Sequence, residues 1–254
     1  MTNLLWGFPD LSYTKALISH TTENISYPAE NVILGGRDRR FRTNAAATSS
    51  NIVWDAGSGT KMQPSFLILT EVHKFIDKLV VGSTIDVDVD LDDNTGFTTP
   101  QNFTEAVGKA DLLGPNNEDY YADLTTDITG PDRYARVTID TGTDSFIHSW
   151  GKVYFGDMFD PGRDPVEVTE KKITVGRSQI RRLALRYRGL TDATRTSIQS
   201  TLQADSNYAG FFLYDPGDDI LDGDRLLHVR LVSTRSTVDW KDSNSITLVV
   251  EEML

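Results

Sequence analysis

The chain contains no cysteine among its 254 residues. Disulfide frameworks, thiolate metal sites and cysteine nucleophiles are therefore excluded, and the redox character of the compartment stays open. The sequence also lacks any apolar run approaching the roughly 20 residues of a membrane-spanning helix. Its first residues, from Met1 to Gly7, show neither the basic segment nor the apolar stretch of a secretory signal peptide. We therefore expect synthesis in a cytoplasm and no insertion into a membrane.

Positive charge is scarce, with 25 Lys and Arg residues against 37 Asp and Glu residues and a formal net charge of −12. Such an acidic surface repels a phosphate backbone, so we do not expect nucleic acid as a partner. A basic cluster that binds single-stranded nucleic acid would also need exposed aromatic rings on which bases can stack. Tyr187 is the only aromatic residue within the one basic cluster of this chain. The cluster consists of Arg177, Arg181, Arg182, Arg186 and Arg188. We predict that it forms ion pairs between domains or between subunits; the alternative is a strand whose charges are only solvated.

Motifs of catalysis and metal binding are also missing. The segment from Gly57 to Lys61 resembles a phosphate loop only loosely, because its spacing is wrong and Met62 follows the lysine. A zinc site needs three or four converging ligands, whereas the histidines stand far apart at His20, His73, His148 and His228. No G-x-S-x-G elbow is present. A hydrolase with a triad assembled from distant residues is a distant alternative. We predict no catalytic residue, no cofactor and no metal site.

Short runs of Thr, Val, Ile and aromatic residues indicate a mostly β chain. The clearest period lies between Thr84 and Asp93, where apolar residues alternate with aspartates, and it predicts a strand with one buried and one solvated face. Residues 94–119 contain several glycines and prolines and predict a long irregular segment. The pattern from Gln179 to Tyr187 predicts another strand. One helix is predicted from Thr191 to Ala204, with Thr191 as its N-cap.

A linker composition rich in Asp, Gly and Pro lies between Gly156 and Pro165. We therefore predict an N-terminal arm at 1–12, a β-sandwich at 13–158, a linker at 159–165 and a small α+β assembly domain at 166–254. Exposed aromatic residues in an arm need a surface to cover them, so we expect Trp6 and Phe8 to reach a partner. The predicted assembly interface combines these two rings with Arg181, Arg182, Arg186 and Arg188.

Four segments of the N-terminal domain occur in the order and approximate spacing of a known family. They are Tyr27-Pro-Ala-Glu-Asn-Val32 with Gly35 or Gly36 behind it, Phe41-Arg-Thr43, Ile52-Val-Trp-Asp-Ala-Gly57 and Arg133-Tyr-Ala-Arg-Val-Thr-Ile139. On these residues the domain resembles the discoidin-type, galactose-binding-like jelly roll. The resemblance implies ligand binding, often of glycans, in loops at one end of a β-sandwich. A sugar site usually needs an aromatic platform with a few polar groups, and the sequence does not place one.

The second domain is similar to a module that follows such jelly rolls in minor tail and tail-tip proteins of tailed phages. The matching segments are Trp150–Gly156, Leu185–Asp192, Phe211–Pro216 and Ser245–Glu252. The resemblance implies a non-enzymatic structural protein of a phage-like virion tail, made in the host cytoplasm. Its expected partners are copies of itself in a ring or another homo-oligomer, other tail proteins, and a host glycan during attachment. The alternative is a carbohydrate-binding module without catalytic activity.

Overall fold

A computed structural model describes residues 3–33, 39–114, 116–175, 178–204, 210–217, 220–221, 225–239 and 243–253. The chain forms two compact units. The first, called here the N-terminal unit, spans Pro9–Asp157, and the second, the C-terminal unit, combines Met1–Phe8 with Met158–Leu254. Strands predominate and pair antiparallel, which confirms the prediction of a mostly β chain. None of the helices in the described ranges is long and apolar enough to cross a membrane.

The elements follow one another along the described parts of the chain. They are β1 (Leu5–Phe8), α1 (Asp10–Thr14), β2 (Ala16–His20), a 3-10 turn (Ala29–Val32), β3 (Phe41–Arg42), β4 (Ser49–Asp55), β5 (Phe66–Leu69), α2 (His73–Ile76), β6 (Ile85–Asp92), β7 (Gln101–Val107), a 3-10 turn (Lys109–Asp111), β8 (Tyr120–Asp123), β9 (Tyr134–Asp140), β10 (Ser149–Trp150), β11 (Val153–Phe159), β12 (Glu167–Val175), β13 (Ser178–Leu190), α3 (Asp192–Ala204), β14 (Phe211–Tyr214), β15 (Leu226–Asp239) and β16 (Ser243–Glu252).

The N-terminal unit is a β-sandwich. One sheet has the strand order β2-β4-β9-β6-β7, and strands β11, β5 and β8 pair in the other. Apolar side chains from both sheets share one core, in which the ring of Trp54 meets the edge of Phe155 at 4.9 Å between centroids. Strands β3 and β10 form a separate two-stranded pair. In the five-stranded sheet the apolar residues of β6 alternate toward this core, whereas all four side chains of β5 are buried, so both faces of that strand are covered.

The alternating segment forms β6, as predicted, and Ile85, Val87, Val89 and Leu91 are buried. Its acidic face is solvated at Asp86 but not along its whole length, because Asp90 and Asp92 are buried. Asp90 accepts hydrogen bonds from Arg136 and Asn102. Asp92 accepts from the backbone N–H groups of Asn94 and Thr99. The prediction of a uniformly solvated face is therefore wrong at these two residues, whose partners compensate the loss of water.

The prediction of an irregular segment at 94–119 is also wrong in part. Residues Gln101–Val107 form β7, which pairs with β6 along its full length. Only Phe103 and Val107 of this strand are buried. Since β7 lies at the end of the sheet order, few of its positions need an apolar residue, and its sequence shows no clear alternation.

The C-terminal unit contains six paired strands in the order β12-β13-β16-β15-β14-β1 together with helix α3. Ile198 and Leu202 of α3 are buried in its core. The hydroxyl oxygen of Thr191 accepts a hydrogen bond from the backbone N–H of Thr194 at 3.1 Å. The predicted helix and its N-cap are therefore confirmed.

The N-terminal arm requires a correction. Strand β1 pairs with β14 of the same chain, with Trp6 opposite Leu213. Trp6 is fully buried against Phe159, Tyr187 and Phe211, and Phe8 stacks on Phe211. Residues 5–8 complete a sheet and its core, so the two rings are not exposed. This finding removes the reason for assigning Trp6 and Phe8 to a partner interface.

Candidate functional site

A tight turn over Asn24–Tyr27 lies beside strand β3 in the N-terminal unit. The backbone N–H of Tyr27 donates to the carbonyl of Asn24 at 2.8 Å. The backbone of Arg42 holds the turn from both sides, because its N–H donates to the carbonyl of Tyr27 and its carbonyl accepts from the N–H of Asn24. This pairing places the guanidinium carbon of Arg42 over the Tyr27 ring, 4.3 Å from the centroid. The contact is a cation–π interaction.

Tyr27 and Arg42 are both accessible from the solvent. The tyrosine is 37% exposed, and Ile25 at the tip of the turn is 94% exposed. Arg42 is half-buried, and its buried Nε has no hydrogen-bond partner. In the part of the chain that the structure describes, its guanidinium forms no ion pair. The site therefore offers an aromatic ring and a cation whose charge is not balanced by a carboxylate.

A second cation, Lys78, is near enough to Arg42 for their charges to interact. It follows helix α2, and its ammonium group donates to the carbonyl of Ile147 at 3.2 Å and lies 4.9 Å from the centroid of the Phe146 ring. Burial lowers the pKa of Lys78, and the neighbouring charge of Arg42 lowers it further. No carboxylate of the described residues pairs with Lys78. Because the two cations repel each other, a bound anion would stabilise both.

The neighbouring ion pairs leave positive charge in excess. Glu71 pairs with Arg40, whose Nε lies 2.7 Å from the carboxylate, and also with Lys74. Burial raises the pKa of Glu71, but hydrogen bonds from Lys74 and Arg40 outweigh it and hold this pKa below its usual value. The carboxylate of Glu71 is thus shared by Arg40 and Lys74, and it provides no negative charge that could balance Arg42 or Lys78.

The histidines do not converge. His20 lies beside Glu23, His73 begins helix α2, and His148 is buried in the core. His228 belongs to the C-terminal unit, where it stacks on Phe212. Within the described ranges, no group of three or more His, Asp or Glu side chains is arranged to hold a metal ion.

Three of the four arginines of the predicted assembly interface pair with carboxylates of their own unit. Arg181 pairs with Glu170, Arg182 with Glu251 and Arg186 with Glu167. Arg188 is exposed, and its carbonyl accepts a hydrogen bond from Arg163. Arg177 lies outside the described residues, as do Gly35 and Gly36. The role of these arginines between subunits stays a prediction.

Sequence reasoning missed the pairing of Tyr27 with Arg42. Both residues belong to segments that carry the resemblance to galactose-binding-like domains, Tyr27–Val32 and Phe41–Thr43. Nothing in their spacing shows that the ring and the guanidinium meet, because the contact depends on backbone hydrogen bonds between a turn and a strand.

Comparison with known proteins found no matching family model and no curated relative. Some solved structures are similar at low identity. CBM32-3 from a family 31 glycoside hydrolase of Clostridium perfringens has a TM-score of 0.41 and 14% identity, over 57% of this chain and 91% of its own. XRCC1, in a complex with the DNA polymerase beta catalytic domain, has a TM-score of 0.35 and 13% identity, over 55% and 93%.

A third structure, the Ruminococcus gnavus GH29 fucosidase E1_10125 in complex with fucose, has a TM-score of 0.40 and 13% identity, over 59% of this chain. The match spans only 26% of the fucosidase chain. These likenesses are too distant to assign the chain to a family.

Proposed function

We propose that the chain is a non-catalytic carbohydrate-binding protein whose N-terminal unit recognises a glycan with an anionic group. The observation that carries the proposal is the half-exposed Tyr27 ring stacked with Arg42 next to Lys78. A tyrosine ring offers an apolar face with a polar edge, which suits the amphipathic face of a sugar. The guanidinium and ammonium groups supply the donors for a carboxylate or a sulfate ester.

The charge distribution favours a ligand with isolated negative charges. The chain is acidic overall, so a long polyanion is repelled by most of its surface. Arg42 and Lys78 form a local exception, since neither has a carboxylate partner among the described residues. A uronic acid residue or a sulfated sugar within an otherwise neutral glycan fits this pattern.

The sequence resemblance supports the same function. The segments that resemble galactose-binding-like domains include both Tyr27 and Arg42, and the N-terminal unit is a β-sandwich with the site on a turn beside β3. We propose that this unit is a jelly roll of that type, in which loops at one end of the sandwich bind the ligand. The assignment to a phage-like virion tail stays a prediction from the resemblance of the C-terminal segments alone.

A glycan array followed by titration calorimetry tests the proposal. We expect retention on glycans that carry uronate or sulfate groups and weak or no retention on their neutral counterparts. Tyr27→Ala and Lys78→Gln should each weaken binding by about tenfold, which corresponds to about 1.4 kcal/mol. Tyr27→Phe should retain most of the affinity, because it keeps the ring.

Lys61→Gln is the matched control, because it removes the same charge from a lysine that Asp93 already balances at 2.6 Å. It should leave the affinity unchanged. Retention on no glycan, or equal losses in the Lys61 and Lys78 variants, would overturn the proposal. Hydrolysis of a bound glycan would contradict its non-catalytic part.

A further inference from the structure

The sheet of the C-terminal unit has one face that does not contribute to the unit's core. Along β13, the side chains of Leu183, Leu185 and Tyr187 are buried in the core, so the residues between them lie on the opposite face. Strand pairing aligns three rows of side chains on that face, which we call the cationic face. The rows are Lys171, Arg182, Glu251 and Arg230; Thr169, Ala184, Val249 and Ser233; and Glu167, Arg186, Thr247 and Arg235.

Positive charge exceeds negative charge on the cationic face. The carboxylate of Glu251 is buried between Arg182 and Arg230. Glu167 makes a long contact of 3.4 Å with Arg186. Lys171 and Arg235 are exposed, and they form no ion pair within the described ranges. Five cations thus share two carboxylates, and the middle row between the charged rows carries no charge.

The N-terminal unit carries a face of opposite sign. On the outer side of its five-stranded sheet, Asp86 of β6 lies directly opposite Asp140 of β9. The next position, Asp88, lies opposite Thr138 and Thr104 and accepts a hydrogen bond from the Thr104 hydroxyl. We call Asp86, Asp88, Asp140, Thr104 and Thr138 the acidic face. In the described part of the chain, no cation pairs with any of its three carboxylates.

The charges on each face are costly without a partner, because like charges directly opposite on neighbouring strands destabilise a sheet. Neighbouring strands lie about 4.8 Å apart on both faces, whereas along a strand the charged rows of the cationic face lie about 13 Å apart and Asp86 and Asp88 about 7 Å apart. Two cationic faces or two acidic faces would bring like charges together. The complementary contact is therefore between unlike faces, which is a heterologous interface.

We infer that the cationic face of one copy binds the acidic face of a second copy, head to tail, so that copies join into a ring or an open chain. The inference goes beyond glycan binding and uses none of Tyr27, Arg42 and Lys78. Exposed ion pairs contribute little individually and are screened by salt. The association should therefore be weak to moderate and should weaken steeply as the ionic strength rises.

Sedimentation velocity of the full chain tests the inference with two charge-reversal variants. The first is Arg186→Glu with Arg235→Glu, and the second is Asp86→Lys with Asp88→Lys. In about 20 mM NaCl, where screening of charges is weak, we expect the wild-type protein to associate as its concentration rises. In about 0.5 M NaCl it should dissociate. Each variant alone should be monomeric, because one of its two faces now repels the other.

An equimolar mixture of the two variants separates this inference from other modes of assembly. Each variant keeps one native face, and the two reversed faces also carry opposite charges, so the mixture should associate although neither variant does so alone. All four substituted side chains lie on strand surfaces, and equal thermal unfolding of variants and wild type controls for folding. A monomeric wild-type protein at low salt, a variant that still self-associates, or a mixture that stays monomeric would overturn the inference.

Discussion

The hydroxyl oxygen of Ser50 lies 2.6 Å from Nδ1 of His148, and both side chains are buried in the N-terminal unit. The indole N–H of Trp150 donates to the same oxygen at 2.8 Å. Because an indole N–H can only donate, Ser50 accepts from Trp150 and has its own hydrogen to donate to His148. The rings of Phe75 and Phe146 pack against the imidazole. This arrangement suits a neutral imidazole and disfavours a charged one.

The first prediction concerns the pH dependence of stability. Burial lowers the pKa of His148 to about 4, against about 6.5 for an unperturbed histidine. Between these values the unfolded chain binds a proton that the folded chain does not, so the free energy of unfolding falls as the pH falls from 6.5 towards 4. We expect a loss of about 2–3 kcal/mol from this residue between pH 7 and pH 4.5.

Urea denaturation at the two pH values measures this loss, and carboxylates also contribute to it. The His148→Gln variant isolates the histidine, because its stability should fall less over the same range. Equal pH dependence in wild type and His148→Gln would contradict the prediction.

A second prediction follows from the shared role of Ser50. The Ser50→Ala variant leaves the Trp150 N–H and the His148 ring nitrogen buried without their partner. A buried polar group that loses its hydrogen bond costs about 1–3 kcal/mol, and we expect a decrease of this size in the free energy of unfolding at pH 7. Ser58→Ala, in an exposed turn, should change it by less than about 0.5 kcal/mol. A Ser50 variant as stable as the Ser58 variant would show that the network contributes nothing.

Local periodicity explains which parts of the fold could be predicted from the sequence. The alternation within Thr84–Asp93 predicts β6 to within one residue at each end, since a strand with one buried face needs an apolar residue at every second position. Helix α3 was predictable because Thr191, Ile198 and Leu202 carry its cap and its buried side. The edge strand β7 buries only Phe103 and Val107, so its pattern is too sparse to identify it.

The candidate site and the place of Trp6 depend on contacts between distant residues. Tyr27 meets Arg42 because a turn and a strand exchange backbone hydrogen bonds. Trp6 is buried because β1 pairs with β14, whose residues lie more than 200 positions later in the chain. Neither pairing leaves a local signal, because the amino acids at both ends are compatible with many partners. The sequence therefore indicates an aromatic arm where the structure has a paired strand with a buried tryptophan.

A third prediction uses the burial of Trp6. Since its ring packs against Phe159, Tyr187 and Phe211, Trp6→Ala should lower the free energy of unfolding by about 3–5 kcal/mol, as large-to-small changes in a core do. Ile25→Ala, at a position that is 94% exposed, should change it by less than about 0.5 kcal/mol. Chemical denaturation followed by circular dichroism measures both. A point substitution lowers the free energy of unfolding by about 1 kcal/mol on average. A smaller loss for Trp6→Ala would indicate that the ring binds a partner and does not stabilise the core.

The last prediction concerns Gly151, between strands β10 and β11. A Cβ at this position would overlap the carbonyl oxygen of Thr70 and would lie 2.6 Å from its hydroxyl oxygen. Thr70 cannot easily move away, because its N–H donates to the carbonyl of Lys152 at 2.9 Å and its hydroxyl oxygen accepts from the Lys152 N–H at 2.7 Å. Gly151→Ala should therefore destabilise the N-terminal unit by about 1–3 kcal/mol, as overpacking of a tight interior does.

Gly130→Ala is the matched control for this substitution. The nearest atom to its Cβ would be the Gln101 amide nitrogen at 3.6 Å, an ordinary contact with a flexible side chain. We expect its midpoint of thermal unfolding to stay within a few degrees of the wild type, whereas that of Gly151→Ala should fall by several degrees. Equal midpoints for the two variants would mean that the backbone at Thr70 yields to the added methyl group. The close contact between Gly151 and Thr70 would then not be required for the pairing of β11 with β5.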